Sequence, residues 1–446
     1  MKKIVIIGAG SLVFSSRLTA DMLTYKTLEN AHFALVDIDK ERLKFAGKII
    51  KRIFKEGGYK NATFSTTTNH REALENADYV ITSILVGGYD AIKKEIDIPM
   101  KYGIDQAIGD TLTPGGIMRC LRTLPSLVEI AKDIIEICPN AFMLNYTNPM
   151  SMLSWGIYKA VPKIKYVGLC HSVQGATHEW ADRLGEKIED INFECSGINH
   201  QAWFTKFEKN GVDLLPKIRK LATDKKIWNG DTSRMEMIKH FGFPVTESSG
   251  HNSEYHPWFR KNKSFVKKFC KGGSWNGAHG FIKELYSRKD WRNTMQKMAS
   301  WETPVDLNRS LEYGSQIINA LAGGEPVVIH GNVRNDSLIG NLPNGCCVEV
   351  PCYVDKNGLR PMKVKNLPTH LATINARQII VQQLAVEAAL ETNPEKVFQS
   401  MALDPLTSMK CTLDEIREMT IELMKAHSKY IPAFKNKKLS KKTILT

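Results

Sequence analysis

The sequence contains no apolar run long enough to cross a membrane, since no window reaches the roughly 18 apolar residues that a transmembrane helix needs. We therefore expect no membrane partner. The amino-terminal apolar stretch also lacks the small-residue cleavage site of a secretory signal. Its glycine pattern predicts a folded strand and turn instead.

A disulfide framework is missing as well. The nine cysteines are odd in number and, apart from the adjacent Cys346 and Cys347, follow no regular spacing. In a chain of 446 residues this pattern indicates reduced thiols. We therefore expect a cytoplasmic protein.

The sequence also lacks nucleic-acid-binding motifs, internal repeats and low-complexity segments. The formal net charge of +14 would suit a nucleic acid or an acidic ligand. Much of that charge is dispersed, however, and no RNA- or DNA-binding motif accompanies it. We therefore expect no nucleic-acid partner. The composition of 43% hydrophobic and 24% charged residues is that of an ordinary globular protein.

The first 170 residues alternate strand and helix patterns. This alternation predicts an α/β fold with a doubly wound parallel sheet. Short buried-strand patterns cover residues 3–8, 32–39, 62–68, 78–85, 141–146 and 165–170, and a helical pattern covers 119–138.

The pattern changes after about residue 190. The later segments are two strand patterns around Asn199-His200, a polar, turn-rich region over 209–275, a helix over 307–324, strands over 325–333 and 346–355, and mainly helix beyond about 368. We predict two domains, a Rossmann-like domain over residues 1–195 and a mixed α/β domain over 196–446.

A glycine-rich turn, "GAGSLVF", follows the first predicted strand. Gly8 and Gly10, with Ser11 beside them, would let the backbone turn tightly and approach a pyrophosphate at a helix N-terminus. Val13 stands at the third position of the usual fingerprint, so the motif is incomplete. Asp37 ends the second strand, where an acid can bind a ribose 2′-hydroxyl and favours NAD over NADP. Together these residues predict a dinucleotide site.

Two other strand patterns end abruptly in small or polar residues. "YVGLCHSVQG" ends its apolar run at Cys170, His171 and Ser172, and "SGINHQAWF" contains Asn199 and His200. A thiolate and an imidazole are good ligands for a divalent metal. Taken singly, however, a cysteine after an apolar strand is most often buried packing. The spacing alone does not separate a metal pair from packing.

Three further segments carry candidate residues. "GDTLTPGGIMRCLRTLP" holds Asp110 before a Gly-Gly helix start, although a capped turn explains it equally well. "LNYTNPM" places Asn148 beyond the fifth strand, where ligands bind to open parallel sheets, although it is also an Asn-Pro turn. "ESSGHNSEYHPWF" clusters polar side chains around Tyr255, and long polar loops often carry function.

Taken together, these segments resemble the NAD- and metal-dependent family 4 glycoside hydrolases. The resemblance extends in order over nearly the whole chain, through "GAGS", "DID", "DTLTPGGIMRCLRTLP", "LNYTNPM", "GLCHSVQG", "GINH", "TESS…EYHPWF", "GNVRND", "NLPNGCCVEVPC" and "LPTHLA". It implies an architecture like that of lactate and malate dehydrogenases, bound NAD, a divalent metal, expected to be manganese, and a homo-dimer or homo-tetramer.

Within that family, Cys170-His171-Ser172-Val173 is similar to the form found in bacterial α-galactosidases. Members that act on 6-phosphorylated sugars resemble Cys-Asn-x-Pro or Cys-Asp-x-Pro instead. The resemblance therefore implies hydrolysis of non-phosphorylated α-galactosides of the melibiose or raffinose type. Thr113 is one departure, because the family usually has glycine before Pro-Gly-Gly, and the loop over 250–259 is another.

The resemblance also implies a role for each candidate residue. Cys170 and His200 would hold the metal, while NAD⁺ takes a hydride from C3 of the sugar and later returns it. Tyr255 would remove the C2 proton, and Asp110 would act as the acid when the aglycone leaves. The residues implied to bind the sugar are Asn148, His171, Ser172 and Asn199, of which Asn148 also faces the nicotinamide.

Other functions remain open at this point. An α-glucosidase or α-galacturonidase of the same family would use the same machinery, and Arg119 or Arg260 would suit a uronate. An NAD-dependent hydroxy-acid dehydrogenase would need a catalytic His–Asp pair and would accumulate NADH. A nucleotide-binding sensor would have no joint use for Cys170, His200 and Tyr255.

Overall fold

One mixed β-sheet runs through the part of the chain that the computed structural model describes, which is residues 1–11, 14–272, 281, 283–284 and 290–440. Its strands are β1 (Lys3–Ile7), β2 (His32–Val36), β3 (Thr63–Thr67), β4 (Tyr79–Thr82), β5 (Phe142–Asn145), β6 (Lys165–Gly168), β7 (Ile191–Ile198), β8 (Gln201–Lys209), β9 (Val212–Asp213), β10 (Val327–Arg334), β11 (Cys347–Asp355) and β12 (Gly358–Pro361). Their order is β3-β2-β1-β4-β5-β6-β10-β11-β7-β8-β9, and β12 pairs with β11.

The first six strands are parallel and lie in the order 3-2-1-4-5-6, which is that of a doubly wound dinucleotide-binding sheet. The inner strands β4 and β5 are buried along their whole length. Strands covered on both faces are apolar without alternation, which is why their sequences YVIT and FMLN stood out. The predicted α/β fold with a Rossmann-like parallel sheet is confirmed.

The strands of the second half continue the same sheet in antiparallel pairing. β10 joins β6 at Asn332 and Gly168, and β11 links β10 to the hairpin of β7 and β8. The turn of that hairpin contains His200 at a φ of 62°. The sheet therefore crosses residue 195, and the division into two domains at that point stays a prediction.

The α-helices flank the sheet, and none of those described is both long and apolar enough to cross a bilayer. They are α1 (Phe14–Leu23), α2 (Lys40–Glu56), α3 (His70–Leu74), α4 (Gly88–Lys101), α5 (Thr113–Ile137), α6 (Met150–Ala160), α7 (Ser172–Leu184), α8 (Leu215–Leu221), α9 (Lys225–Gly230), α10 (Thr232–Phe241), α11 (Ser249–Asn252), α12 (Lys263–Phe269), α13 (Trp291–Ala299), α14 (Tyr313–Leu321), α15 (Thr369–Glu391), α16 (Pro394–Leu403), α17 (Pro405–Lys410) and α18 (Leu413–Ala426). Short 3₁₀ turns cover Ile188–Asp190, Ser253–Tyr255 and Pro432–Phe434.

The region over 209–275 differs from its prediction as far as it is described, to residue 272. Instead of turns alone it holds the five helices α8 to α12. Each has ten residues or fewer, too short for a clear 3.6-residue period. The helix predicted over 307–324 is likewise shorter, because only Tyr313–Leu321 is helical.

Two apolar layers pack against opposite faces of the sheet. Ile4 and Ile6 of β1 enter the layer that includes α1, α2 and α14, whereas Val5 and Ile7 enter the layer that includes α5, α6 and α15. This alternation follows from the period of two along a strand. The two layers cover the faces of the sheet, and the connecting loops lie at the carboxyl edge of the parallel strands.

A buried ion pair joins α4 and α5. Arg122 donates through Nε and Nη2 to the two oxygens of Glu95 at 2.6 and 2.9 Å, and both side chains are almost fully buried. Burial opposes ionisation of Glu95, but the Arg122 guanidinium lowers the pKa of this carboxyl below its ordinary value. The pair holds together only while both charges are present.

Arg122→Met should therefore destabilise the protein by about 3–5 kcal/mol at neutral pH, because the buried Glu95 carboxylate loses its guanidinium partner and keeps the His427 imidazole, 3.3 Å from Oε1. Since the folded-state pKa of Glu95 is lowered in the wild type, the contribution of the pair is present above the ordinary carboxyl pKa and is lost as the pH falls through the folded value. The loss in the variant should accordingly be largest near pH 7 and should shrink below about pH 4.5. Urea unfolding across this pH range measures it.

The matched control is Arg334→Met, which removes an exposed pair with Asp336. Its effect on the free energy of unfolding should be much smaller. Equal effects for the two variants would contradict the role given to the buried pair.

Candidate active site

The candidate residues collect at the carboxyl edge of the parallel strands. Gly8 follows β1, Asp37 follows β2, Asn148 lies three residues beyond β5 and Cys170 lies two residues beyond β6. Ligands of open α/β sheets bind in the crevice at this edge. The strand ends therefore deliver residues that are far apart in sequence to one side of the molecule.

The glycine turn after β1 is tight and admits no side chain at its first position. Gly8 has a φ of 90°, and a Cβ on it would lie 2.1 Å from the carbonyl oxygen of Ser83. The N–H of Ser11 closes the turn by donating to the Gly8 carbonyl at 3.1 Å. Val13, the third position of the fingerprint, lies outside the described residues.

Asp37 is tied to this turn. Its Oδ2 accepts the N–H of Gly10 at 2.8 Å, and its Oδ1 accepts the N–H of Asp39 at 2.9 Å. A Cβ on Gly10 would lie 2.6 Å from Asp37 Oδ2, so the close contact needs glycine. The structure thus brings Gly8, Gly10, Ser11 and Asp37 together, as the sequence predicted.

The Cys170 thiol and the His200 imidazole meet although they come from different segments. Cys170 Sγ lies 3.2 Å from His200 Nε2, and the other ring nitrogen, Nδ1, lies 2.9 Å from the hydroxyl of Tyr255. Burial opposes both charges, but each group stabilises the other: the pKa of Cys170 is lowered to about 6 and that of His200 is raised to about 9. Cys170 is therefore ready to be a thiolate.

Tyr255 lies at the end of a 3₁₀ turn and is only 1% exposed. Its hydroxyl contacts His200 Nδ1 at 2.9 Å and His251 Nε2 at 3.2 Å. Burial raises the pKa of this phenol well above its ordinary value, and the carboxylates of Glu254 and Asp110 raise it further. The phenol therefore stays protonated unless a positive charge or a proton acceptor adjoins it.

Asp110 and Asn148 face each other across the strand ends. Asn148 donates from Nδ2 to Asp110 Oδ2 at 3.0 Å, beside a cis peptide bond to Pro149. Arg119 donates to the Asn148 carbonyl at 3.1 Å and approaches Asp110 to 3.7 Å. Burial opposes ionisation, but the contact with His251, 3.4 Å from Oδ1, and the charge of Arg119 keep the pKa of Asp110 well below its ordinary value. Asp110 is a carboxylate here.

Thr113, the departure from the resemblance, has a left-handed backbone conformation. Thr113 begins α5 and takes a φ of 65°, a left-handed conformation that glycine adopts at lower cost. Its buried hydroxyl donates to the side-chain oxygen of Gln106. Thr113 thus has a strained backbone conformation at the position where glycine is usual in the resemblance.

The other predicted sugar-binding residues lie next to the metal candidates in sequence but have separate surroundings. His171 Nε2 lies 2.7 Å from Glu312 Oε1, and the ring stacks near Phe14 and Tyr146. Its side chain is 53% exposed, which is high for this site. Ser172 begins α7 with a buried hydroxyl, and Asn199 is fully buried beside His200.

The structure also brings Glu247 and His251 into the site, to which the sequence had assigned no role. Glu247 Oε2 lies 3.6 Å from His200 Nε2 and 3.9 Å from His251 Nδ1. Suitable donor atoms of these three residues lie within 4.8 Å of one another, an arrangement that can hold a metal ion. Glu247, His251 and Tyr255 are spaced four residues apart, a period that could have indicated a shared face, although Glu247 itself precedes α11 (Ser249–Asn252).

Glu254 connects the two loops that carry Asp110 and Tyr255. Its Oε2 accepts the backbone N–H groups of residues 107, 108 and 109 at 2.7, 3.2 and 3.3 Å. The residue is 2% exposed and precedes Tyr255 directly. The carboxylate therefore fastens the Asp110 loop to the turn that ends in Tyr255.

This arrangement defines a class of protein. A dinucleotide-type glycine turn and a cluster of thiol, imidazole, carboxylate and phenol groups share one edge of a doubly wound sheet. Such a site suits an enzyme that uses a nucleotide cofactor and a divalent metal. The donor types of Cys170 and His200 fit the metal, and the narrow turn at Gly8 fits the approach of a pyrophosphate.

The chain belongs to the family 4 glycosyl hydrolases. The model of that family matches residues 3–186, and the model of its C-terminal domain matches residues 195–407. The family resemblance predicted from the motifs is thereby confirmed.

Individual relatives match over their full length. The α-galactosidase of Bacillus subtilis (strain 168) is 38% identical over 98% of this chain and 100% of its own. The crystal structure of the lplD protein of Bacillus subtilis has a TM-score of 0.86 at 28% identity and covers 95% of this chain and 99% of its own. The 6-phospho-β-glucosidase of Thermotoga maritima, solved with manganese, NAD⁺ and glucose-6-phosphate, has a TM-score of 0.77 at 21% identity, covers 96% of this chain and 99% of its own, and shows the fold alone.

Glu254→Gln should loosen the Asp110 loop. The amide keeps one acceptor but turns an N–H group toward backbone donors, in a buried place where a bond to a charged group is worth about 1.5–3 kcal/mol. We expect a loss of about 2–3 kcal/mol in urea unfolding. Amide hydrogen exchange at residues 107–109 should become faster.

The control variant is Glu415→Gln, whose carboxylate accepts the backbone N–H of Thr412 at an exposed helix terminus. It should leave exchange at residues 107–109 unchanged. Unaltered exchange at these amides in Glu254→Gln would show that the loop does not depend on this carboxylate.

Proposed function

We propose that this chain is an α-galactosidase that cleaves non-phosphorylated α-galactosides, such as melibiose or raffinose, with NAD and a divalent metal, best manganese, bound. The observation that carries the proposal is the convergence of Asp110, Cys170, His200 and Tyr255 from four separate segments. Thr111 links them, since its hydroxyl lies 3.0 Å from Asp110 Oδ1 and 3.4 Å from His200 Nδ1. The name of the Bacillus subtilis relative supports the glycone.

The alternatives within the family are an α-glucosidase and an α-galacturonidase. A uronate would need a cation that is free to bind its carboxylate. Arg119 is engaged with Asp110 and Asn148, and Arg260 is engaged with Asp105 and Ser253. These contacts already engage part of each guanidinium, which argues against either arginine as the cation that binds a uronate.

NAD at the turn of Gly8, Gly10, Ser11 and Asp37 would supply a reversible hydride acceptor, and a divalent metal at Cys170 and His200 would supply Lewis-acid stabilisation of negative charge. Asp37 would accept a ribose hydroxyl in addition to the N–H of Gly10. Asn148 would orient the sugar, because its amide lies beyond β5 and is held by Asp110.

Tyr255 is the general base in this proposal, taking the proton from C2 of the sugar. Its hydroxyl oxygen lies 2.9 Å from His200 Nδ1 and 3.2 Å from His251 Nε2, so two imidazole N–H groups can stabilise the phenolate that acts as the base. Burial at 1% exposure keeps bulk water from the phenol. The base and the two imidazoles beside it are therefore assembled before the substrate enters.

Asp110 is the acid that protonates the departing aglycone oxygen. As a carboxylate it must first gain a proton, and His251 lies 3.4 Å from its Oδ1. Burial opposes a charged imidazole, but the carboxylates of Glu254 and Asp110 raise the pKa of His251 well above its ordinary value. His251 therefore holds a proton beside Asp110, and Asp110 would take it up as negative charge develops on the aglycone oxygen.

The proposal also covers the compartment, the oligomeric state and the binding partner. We infer a cytoplasmic homo-dimer or homo-tetramer whose partner is a small glycoside. All nine cysteines are free, which is consistent with a reducing compartment.

Turnover in D₂O tests the mechanism. If Tyr255 exchanges the C2 proton with solvent, the released galactose should carry deuterium at C2 and none at C3. Tyr255→Phe keeps the ring but removes the base, so cleavage and exchange should both fall at least about 100-fold. NMR of the product measures both positions.

Tyr158→Phe is the matched control, since it removes another buried hydroxyl, which donates to the Tyr166 carbonyl. It should keep both cleavage and exchange. Protium at C2 after complete turnover would rule out the elimination route. Stoichiometric accumulation of NADH would favour the hydroxy-acid dehydrogenase instead.

Asp37→Ala should weaken NAD⁺ binding about 10- to 100-fold, because it removes a charged hydrogen-bond acceptor for the ribose and the support of the glycine turn. It should also reduce discrimination against NADP⁺, since the 2′-phosphate no longer meets a carboxylate. Calorimetry with both dinucleotides measures the two effects.

Asp39→Ala is the control, because the neighbouring carboxylate caps α2 through the N–H groups of Glu41 and Arg42. It should lower stability by about 1 kcal/mol and leave NAD⁺ affinity unchanged. Unchanged affinity for both dinucleotides in Asp37→Ala would remove Asp37 from the site.

A further inference from the structure

We propose that Glu247 is a third protein ligand of the metal. The inference rests on the proposed function, which places a divalent ion at Cys170 and His200. It extends that function, because neither the sequence motifs nor the resemblance pointed beyond the cysteine and the histidine.

The two ring nitrogens of His200 have different neighbours. Nδ1 lies 2.9 Å from the Tyr255 hydroxyl. Nε2, on the other side of the ring, faces Cys170 Sγ at 3.2 Å and Glu247 Oε2 at 3.6 Å. The nitrogen that remains available to a metal is thus the one that a thiol and a carboxylate oxygen both approach.

The separations from His200 Nε2 to the Cys170 thiol and to the Glu247 oxygen match those between atoms that ligate one ion. Zinc bonds of about 2.3 Å to sulfur and about 2.0–2.2 Å to nitrogen or oxygen give ligand–ligand distances of roughly 3–3.6 Å at tetrahedral or right angles. The observed 3.2 and 3.6 Å lie in that range. The residues whose donor atoms all lie within 4.8 Å of one another are His200, Glu247 and His251, so the Cys170 and Glu247 side chains would move toward each other on binding one ion.

The Glu247 carboxylate presents a single oxygen to the proposed metal position beside His200 Nε2. Its Oε1 accepts the N–H and the hydroxyl of Ser248 at 2.9 and 3.1 Å, which fixes the group and leaves Oε2 toward His200. Metal-bound carboxylates are commonly held in place by such outer hydrogen bonds. The side chain is 17% exposed, so its conformation is largely set by the protein.

Charge balance favours the same assignment. Among the described residues, the ion-pair contacts of Glu247 are with His200 and His251, and none is with lysine or arginine. A mostly buried carboxylate needs a positive partner. A thiolate at Cys170 and a carboxylate at Glu247 together carry the two negative charges that neutralise a divalent cation.

His251 is a weaker candidate for a ligand. Its Nε2 is engaged with Glu254 Oε1 at 3.0 Å and with the Tyr255 hydroxyl at 3.2 Å. Its Nδ1 lies 3.9 Å from Glu247 Oε2. We therefore assign His251 to the surroundings of the base and only Glu247 to the metal.

Manganese titration of the full-length protein tests the assignment without relying on turnover. The protein is stripped of metal with a chelator, saturated with NAD⁺ and kept free of sugar. Binding of Mn²⁺ is measured by calorimetry and by electron paramagnetic resonance. Glu247→Gln, which keeps the size and removes the charge, should weaken Mn²⁺ binding at least tenfold, and Cys170→Ser should weaken it as well.

Glu236→Gln is the matched control. Its side chain has the same 17% exposure, but it lies on α10 and pairs with Lys239 and Trp228. It should bind Mn²⁺ as the wild type does. If Glu247→Gln also binds like the wild type while Cys170→Ser does not, Glu247 is no ligand and the proposed function still stands.

If the wild-type protein binds neither Mn²⁺ nor any other divalent ion, the metal in the proposed function and this inference are both overturned. Should Glu247→Gln fail to fold by circular dichroism, anomalous diffraction from wild-type crystals soaked in Mn²⁺ decides. A peak about 2.2 Å from Glu247 Oε2 supports the assignment. A peak beyond bonding distance of that oxygen but bound to Cys170 overturns it.

Discussion

The imidazole of His200 is the contact on which the site depends. One of its nitrogens faces the Cys170 thiol and the other faces the Tyr255 hydroxyl, so a single ring connects the proposed metal position to the proposed base. The ring is held in a hairpin turn with a left-handed backbone at its own position. Everything that the site can do chemically requires this turn to lie against the strand ends of the parallel sheet.

The antiparallel strands of the second half hold the His200 turn against the ends of the parallel strands. β10 and β11 lie between β6, which leads to Cys170, and the β7–β8 hairpin, which carries His200. Backbone pairing at Asn332 with Gly168 and at Glu349 with Gly197 sets the distance between the two. The strands of the second half thus act as a spacer that brings the hairpin turn to the edge where the cofactor turn lies.

Several features could be predicted from particular residues. The buried runs YVIT and FMLN predicted inner parallel strands, because strands covered on both faces lose their polar alternation. Gly8, Gly10 and Asp37 predicted a tight turn, and the structure supplies the contacts that need those residues. The helices over 215–269 were missed, since short helices with polar residues carry little periodicity.

Local patterning and motif order determine the parallel sheet, the glycine turn and the family, because each depends on neighbours within a few residues or on the succession of motifs along the chain. Only the tertiary structure decides the donor set at the site. Cys170, His200 and Glu247 lie in three segments whose spacing in sequence says nothing of distance in space. The ionisation of Asp110 and Cys170 is decided in the same way, because their pKa values follow from burial and from charges that folding brings near.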